Sequence, residues 1–177
     1  MTILALTWSL LSLSLSFLQL LVLTQPEWIV RGNTYMGLFA LCSPVTCILR
    51  DDQLLIPFMA LLIGGTLSLL ASLLLFPILL CTSSARPVRI VSNVQLFSAI
   101  MYGIAVIVTP FDMGDVECTL TELLRSSTCR VGWAYAVSSV CALLSMSCPI
   151  LGRLVAEDRG IDYALIPRKS ATEEFYL

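Results

Sequence analysis

The sequence predicts an α-helical membrane protein with four spans and a small β-structured cap, and three observations predict it. The 177 residues are 58% hydrophobic and 12% charged, about half the charged share a soluble domain uses to wet its surface. No Asp, Glu, Lys or Arg lies in 1–26, 53–85, 90–111 or 131–152. Each block reaches about 20 residues or more, enough to cross a hydrocarbon core of ~30 Å at ~1.5 Å per residue. Finally, segment 25–55 alternates β-branched and aromatic runs with Gly, Asn and Pro, the pattern of strands and turns.

Taken in order, the spans are expected at about 3–24, 56–80, 90–108 and 131–151, all helical because lipid offers no partner for unpaired backbone groups. They form one domain over 1–157, with outer loops at 25–55 and 109–130 and a cytosolic tail at 158–177. The first block has no basic residue before Arg31 and no A-x-A pattern before Gln25, so it is expected to stay as a span and not be cleaved as a signal peptide. In the first outer loop, strands are expected at 28–30, 35–41 and 45–49. Turns at Arg31-Gly32-Asn33 and Ser43-Pro44 separate them. The net charge of −2 points to neither nucleic acid nor an anionic lipid surface.

Two signals orient the chain. Six basic residues (Arg86, Arg89, Arg153, Arg159, Arg168, Lys169) lie on one side, against Arg31, Arg50, Arg125 and Arg130 on the other. The richer side is expected to be cytosolic. Cys42 and Cys47 fall in the first outer loop and Cys118 and Cys129 in the second, where an oxidising compartment allows disulfides. A Cys42–Cys47 bridge would close a tight hairpin; the second pair reads as a bridge or as two thiols. Both signals place the termini in the cytosol.

Small residues are the expected packing points of helices in lipid. Span two carries Ala60, Gly64, Ser68 and Ser72 at a spacing of four. Span three carries Ala99 and Gly103, and span four Ala134, Ser138 and Ala142. These stripes read either as internal packing or as a docking face for a partner's helix.

Catalytic chemistry has no foothold in the sequence. Histidine is absent, which removes the usual acid–base group and commonest metal ligand. No ionisable acid or base sits inside a span, so neither a proton relay nor an ion site at membrane depth is expected. C-x-x-C, Gly-rich phosphate loops, G-x-S-x-G and H-E-x-x-H are all missing. No enzyme activity, cofactor or metal is expected, and no N-x-S/T marks the outer loops for glycosylation.

The loop residues carry a resemblance. Gln25-Pro26-Glu27-Trp28-Ile29, then Gly37-Leu38-Phe39 with Cys42 close behind, is similar to the W…GL[FW]…C…C signature of the claudin and peripheral myelin protein superfamily. Pro110-Phe111-Asp112-Met113-Gly114-Asp115 leads to Cys118, and Cys129-Arg130-Val131-Gly132-Trp133-Ala134-Tyr135 opens span four. This second-loop pattern resembles the lipoma HMGIC fusion partner-like (LHFPL) tetraspan family more than true claudins. The resemblance covers about residues 3–157. It implies a left-handed four-helix bundle with a small extracellular antiparallel β-sheet, claudin-like in form. Trp28 and Gly37-Leu38-Phe39 would seat the sheet, and Cys42–Cys47 would staple it. Trp28 and Tyr35 also read as ordinary interfacial aromatics, and Trp133 and Tyr135 as packing and interface residues.

By the same resemblance the expected function is that of an accessory, assembly or scaffold partner of a membrane channel, receptor or adhesion complex, with self-association as a further expectation. The contact would fall on Trp28 to Leu49 and Asp112 to Arg130. Claudin-like cell–cell adhesion with a paracellular barrier is the alternative, and a self-contained channel is disfavoured by the uncharged spans. The expected location is the plasma membrane. Cys81 is a candidate for palmitoylation, Tyr163-Ala164-Leu165-Ile166 fits a sorting signal, and Phe175 and Leu177 fit a PDZ-binding end. The tail otherwise reads as a solvated end.

Overall fold

The computed structural model describes residues 3–49, 56–75, 85–117 and 129–165. In chain order these hold α1 (Ile3–Leu23), β1 (Ile29–Arg31), β2 (Thr34–Met36), β3 (Ala40–Cys42), β4 (Cys47–Leu49) and α2 (Ile56–Leu74), followed by α3 (Ala85–Glu117), β5 (Cys129–Val131), α4 (Trp133–Ser145) and α5 (Ser147–Leu165). Four segments are long and apolar enough to cross a membrane: Ile3–Leu23, Pro57–Leu74, Arg86–Pro110 and Trp133–Asp158, the last made by α4 and α5 together. Four spans plus a small antiparallel sheet fit a claudin-like tetraspan fold.

Lipid-facing hydroxyls are silenced locally. Ser14 Oγ donates to the Leu10 carbonyl at 2.8 Å and Ser139 Oγ to the Tyr135 carbonyl at 2.9 Å. Such back-bonding lets polar side chains sit in a span without an external partner. Between helices, α2 and α3 approach closely at Gly65, where an added Cβ would lie 3.0 Å from Tyr102 Cβ and 3.2 Å from the Ser98 carbonyl. Ser98 Oγ donates to the Gly65 carbonyl at 2.6 Å. Gly152 in α5 is held as tightly, against the Trp8 ring and Ser92.

The helices differ from the expected spans in extent. Arg86 and Arg89, expected in a loop, lie on α3, because Pro87 falls in the first turn, where its missing N–H costs nothing. Residues 158–165, expected in the tail, continue α5; Val155 to Leu165 is rich in helix formers, and no proline intervenes before Pro167. The fourth span is interrupted at Met146. Pro149 has no N–H for the Ser145 carbonyl, so the helix restarts as α5 with Pro149 in its first turn.

The sheet has the order β4-β3-β2-β1-β5, every pair antiparallel. The expected turn at Arg31-Gly32-Asn33 is present, with Gly32 in the left-handed region at φ 55°. The expected strand 35–41 is two strands, since Gly37 N donates to the Ala40 carbonyl at 2.9 Å and turns the chain. β4 starts at Cys47 and not at Val45, because Ser43 N donates to the Thr46 carbonyl at 2.8 Å and keeps 43–46 as the hairpin loop. The fifth strand, β5, leads into α4 through Gly132 and lay outside the strands expected.

Candidate functional site

The cap of the bundle is built around Trp28, which is fully buried. Its Nε1 donates to the Val22 carbonyl at 3.2 Å, joining the Gln25 N–H that closes the end of α1 on the same carbonyl at 3.2 Å. Its ring meets Tyr135 edge-on, with centroids 6.3 Å apart. Tyr135 Oη donates in turn to the Val106 carbonyl at 3.3 Å. That carbonyl is free because Pro110, four residues on, has no N–H. Tyr135 thus closes a gap in the backbone ladder of α3, and Trp28 adds a second donor at the end of α1.

Two glycines let the sheet settle there. A Cβ on Gly37 would lie 2.7 Å from Pro26 Cα, and one on Gly132 would fall onto the Glu27 carbonyl. Gly132 N donates to the Trp28 carbonyl at 2.9 Å, and Ala134 N to the Glu27 carbonyl at 3.3 Å. Strand pairing therefore runs on into the first, otherwise unsatisfied, amides of α4.

Of the residues expected to seat the sheet, Trp28, Gly37 and Leu38 are buried, whereas Phe39 points outward with 41% of its surface exposed. A three-residue turn directs only its middle side chain at the bundle. Cys42 and Cys47 are directly paired across β3 and β4 and disulfide-bonded, with Cα atoms 4.1 Å apart. Cys129 is buried and disulfide-bonded; Cys118 lies outside the described residues, as do Cys81, Phe175 and Leu177. Cys141 and Cys148 are buried free thiols. In the Trp133-Ala134-Tyr135 run, Ala134 is buried, Tyr135 half-buried and Trp133 exposed.

The small-residue stripes divide. Ala99, Ala134 and Ser138 are buried, Gly103 and Ala142 half-buried. Ser138 Oγ shares a 2.8 Å hydrogen bond with Tyr102 Oη. On α2 the inward face is Leu62, Gly65, Thr66, Leu69 and Ser72. Of the expected Ala60-Gly64-Ser68-Ser72 stripe only Ser72 is buried there; Ala60 is exposed, and nothing within 4 Å would meet a Cβ on Gly64. A strict spacing of four drifts around a helix of 3.6 residues per turn, so one such stripe cannot stay on one contact line.

Unanticipated were the core side chains that bind the helices through a glutamine. Gln95, fully buried, accepts from Trp8 Nε1 at 2.8 Å and donates to Ser12 Oγ at 3.1 Å and Ser72 Oγ at 3.3 Å, joining α1, α2 and α3. No acid or base marks this site in the sequence. Among the described residues no group of three or more His, Cys, Asp or Glu is placed to hold a metal.

The surface this frame presents is the free end of the sheet. Val131, Ile29, Met36, Leu41 and Ile48 stand directly opposite one another across the five strands, on one face. Ile29 and Met36 are buried on the bundle, but Leu41 is 37% and Ile48 65% exposed. The β3–β4 hairpin therefore overhangs the helices, with Val45 and Leu49 exposed beside it. Among the described residues no reactive group converges on this surface.

No curated protein matches the chain. The profile of the lipoma HMGIC fusion partner-like protein family matches residues 4–154, from α1 to the first turns of α5. Covering the spans, the sheet and both cysteine segments, this match establishes that the chain, a multi-pass membrane protein, belongs to the lipoma HMGIC fusion partner-like family.

Proposed function

We propose that this protein is a non-enzymatic accessory or assembly subunit. Its sheet grips the ectodomain of a membrane channel, receptor or adhesion protein while its spans pack against that partner's helices. The observation that carries this reading is the overhang: Leu41 and Ile48 on one face, Leu49 on the other and Val45 at the tip leave a disulfide-stapled hairpin apolar and exposed. Exposed apolar patches framed by polar surface are where membrane and soluble proteins meet partners. The working location is the plasma membrane with both termini in the cytosol, so that the stapled hairpin faces outside.

The test is affinity purification in mild detergent with mass spectrometry, comparing the native chain with Ile48→Asp/Leu49→Asp. A channel, receptor or adhesion protein that co-purifies with the first and is lost from the second, at equal surface level, is the expected result. If the same proteins are recovered with both chains, the hairpin is not the contact. If junctional strands form in transfected fibroblasts under freeze-fracture, the adhesion alternative replaces this one.

A further inference from the structure

We propose that the cleft between α3 and α5, at the end of the bundle opposite the sheet, binds the headgroup of an anionic glycerophospholipid such as phosphatidylserine, taking both its phosphodiester and its carboxylate. The cleft, of about 280 Å³, is lined by Arg89 and Asn93 from α3 and by Arg153 and Glu157 from α5. Within each helix the two residues are four apart and so share a face. Among the described residues neither Arg89 nor Arg153 has an ion-pair partner. Two guanidiniums, each a rigid fork of donors, therefore flank one opening, a geometry that suits a planar or tetrahedral oxyanion.

Depth selects a lipid. Arg89 is the last charge before the uncharged block 90–111, and Arg153 is the first after 131–152. Both guanidiniums thus stand at the edge of the hydrocarbon core, where headgroup phosphates lie. Asn93 is one turn, about 6 Å, nearer the membrane centre, level with the glycerol esters and able to donate to an ester carbonyl. Next to the cleft, Ile90, Phe97 and Ile150 are exposed and offer an apolar bed for an acyl chain. Glu157 is one turn farther toward water than Arg153 and accepts a hydrogen bond from a headgroup ammonium or hydroxyl. The chain's net charge of −2 averages over this local excess of positive charge.

The walls are fixed, as a binding site requires. Val88, Val91, Val155 and Ala156 form a buried cluster with Ala5 and Trp8 behind them. Ser92 Oγ ties α3 to α5 by donating to the Pro149 carbonyl at 2.7 Å. This inference rests on the membrane fold alone and is independent of the partner-binding reading.

Native mass spectrometry of the full chain with equimolar phosphatidylserine and phosphatidylcholine tests it. The expected result is retention of phosphatidylserine over phosphatidylcholine by about tenfold. That preference should vanish in Arg89→Gln/Arg153→Gln and persist in Arg31→Gln at the sheet end. Thermal unfolding checks that each variant is folded. Arg153→Lys, which keeps the charge and loses the fork, is the gentler second variant and should lower the preference part-way. Equal retention of the two lipids by the native chain, or a preference untouched in the folded arginine variants, would overturn the proposal. Displacement of the lipid by inorganic phosphate at matched concentration would overturn the lipid assignment and leave soluble phosphate as the occupant.

Discussion

A carbonyl without a donor at membrane depth costs up to several kcal/mol, and Tyr135 covers one at Val106. Phenylalanine keeps the ring of Tyr135 and removes only the donor. Tyr135→Phe should lose about 1 kcal/mol, read as a lower unfolding temperature in detergent with the fold retained. Trp28→Phe also empties part of a fully buried indole site, so its loss should be larger, about 2 kcal/mol or more. An unchanged temperature in Tyr135→Phe would mean the Val106 carbonyl finds another donor. Glycines give a contrast of sign. Gly132→Ala places a methyl on the Glu27 carbonyl, backbone that cannot step aside, so a loss of about 3 kcal/mol, at the upper end of overpacking, is expected. Gly64→Ala meets nothing within 4 Å and should gain up to about 1 kcal/mol of helix preference. The same unfolding measurement separates them, and equal effects would refute the close approach. The resemblance singled out Trp28 and Tyr135 in the sequence, but their reasons were hidden. Val22 and Val106 become partners only once Pro110 and the end of α1 are seen in space.

Among the elements, the β3–β4 hairpin depends most on one bond. Three residues per strand give a weak ladder, and the Cys42–Cys47 bridge closes a loop of four residues between paired positions. For so short a loop the chain-entropy contribution is about 2 kcal/mol. Cys42→Ser should therefore leave the spans inserted while loosening the hairpin, seen as reduced surface delivery and faster protease cleavage within 43–46. Normal delivery and an uncut hairpin would show that the ladder suffices alone. The turns of this hairpin region were legible because Gly32 and Pro44 mark them. Two features were not. The break at 37–39 depends on Gly37 packing onto Pro26, and β5 is a three-residue strand whose partner lies about a hundred residues earlier in the chain. The inward face of α2 was left open for another reason: in lipid both faces of a helix are apolar, so periodicity carries little information about which one packs, and the Ala60-to-Ser72 stripe read as either an internal or a docking face.

Over the whole molecule apolar side chains face both ways: leucines, isoleucines and phenylalanines cover the outside, and Ser12, Ser72, Gln95, Tyr102 and Ser138 sit among the leucines, valines and tryptophans of the core. Lipid gives no hydrophobic push between helices, so hydrogen bonds and close fit must hold them. The uncharged blocks made the spans legible, yet uncharged polar residues inside them gave no sign of which would be joined. Two glutamines, both fully buried, test what that joining is worth. Gln95 has three partners on two other helices, whereas neither polar atom of Gln19 has a partner within the described residues. Gln95→Leu should lose about 1–2 kcal/mol, since it removes three interhelical hydrogen bonds and these average below 1 kcal/mol each in membranes. Gln19→Leu removes a buried amide that no side chain satisfies and should be neutral or stabilising by a similar amount. Unfolding of both variants in the same bilayer mimetic decides the matter, because lipid exposure and burial are matched and only the hydrogen bonding differs. If Gln19→Leu destabilises as much as Gln95→Leu, the cohesion of this bundle comes from shape alone, and the polar side chains in its core are passengers.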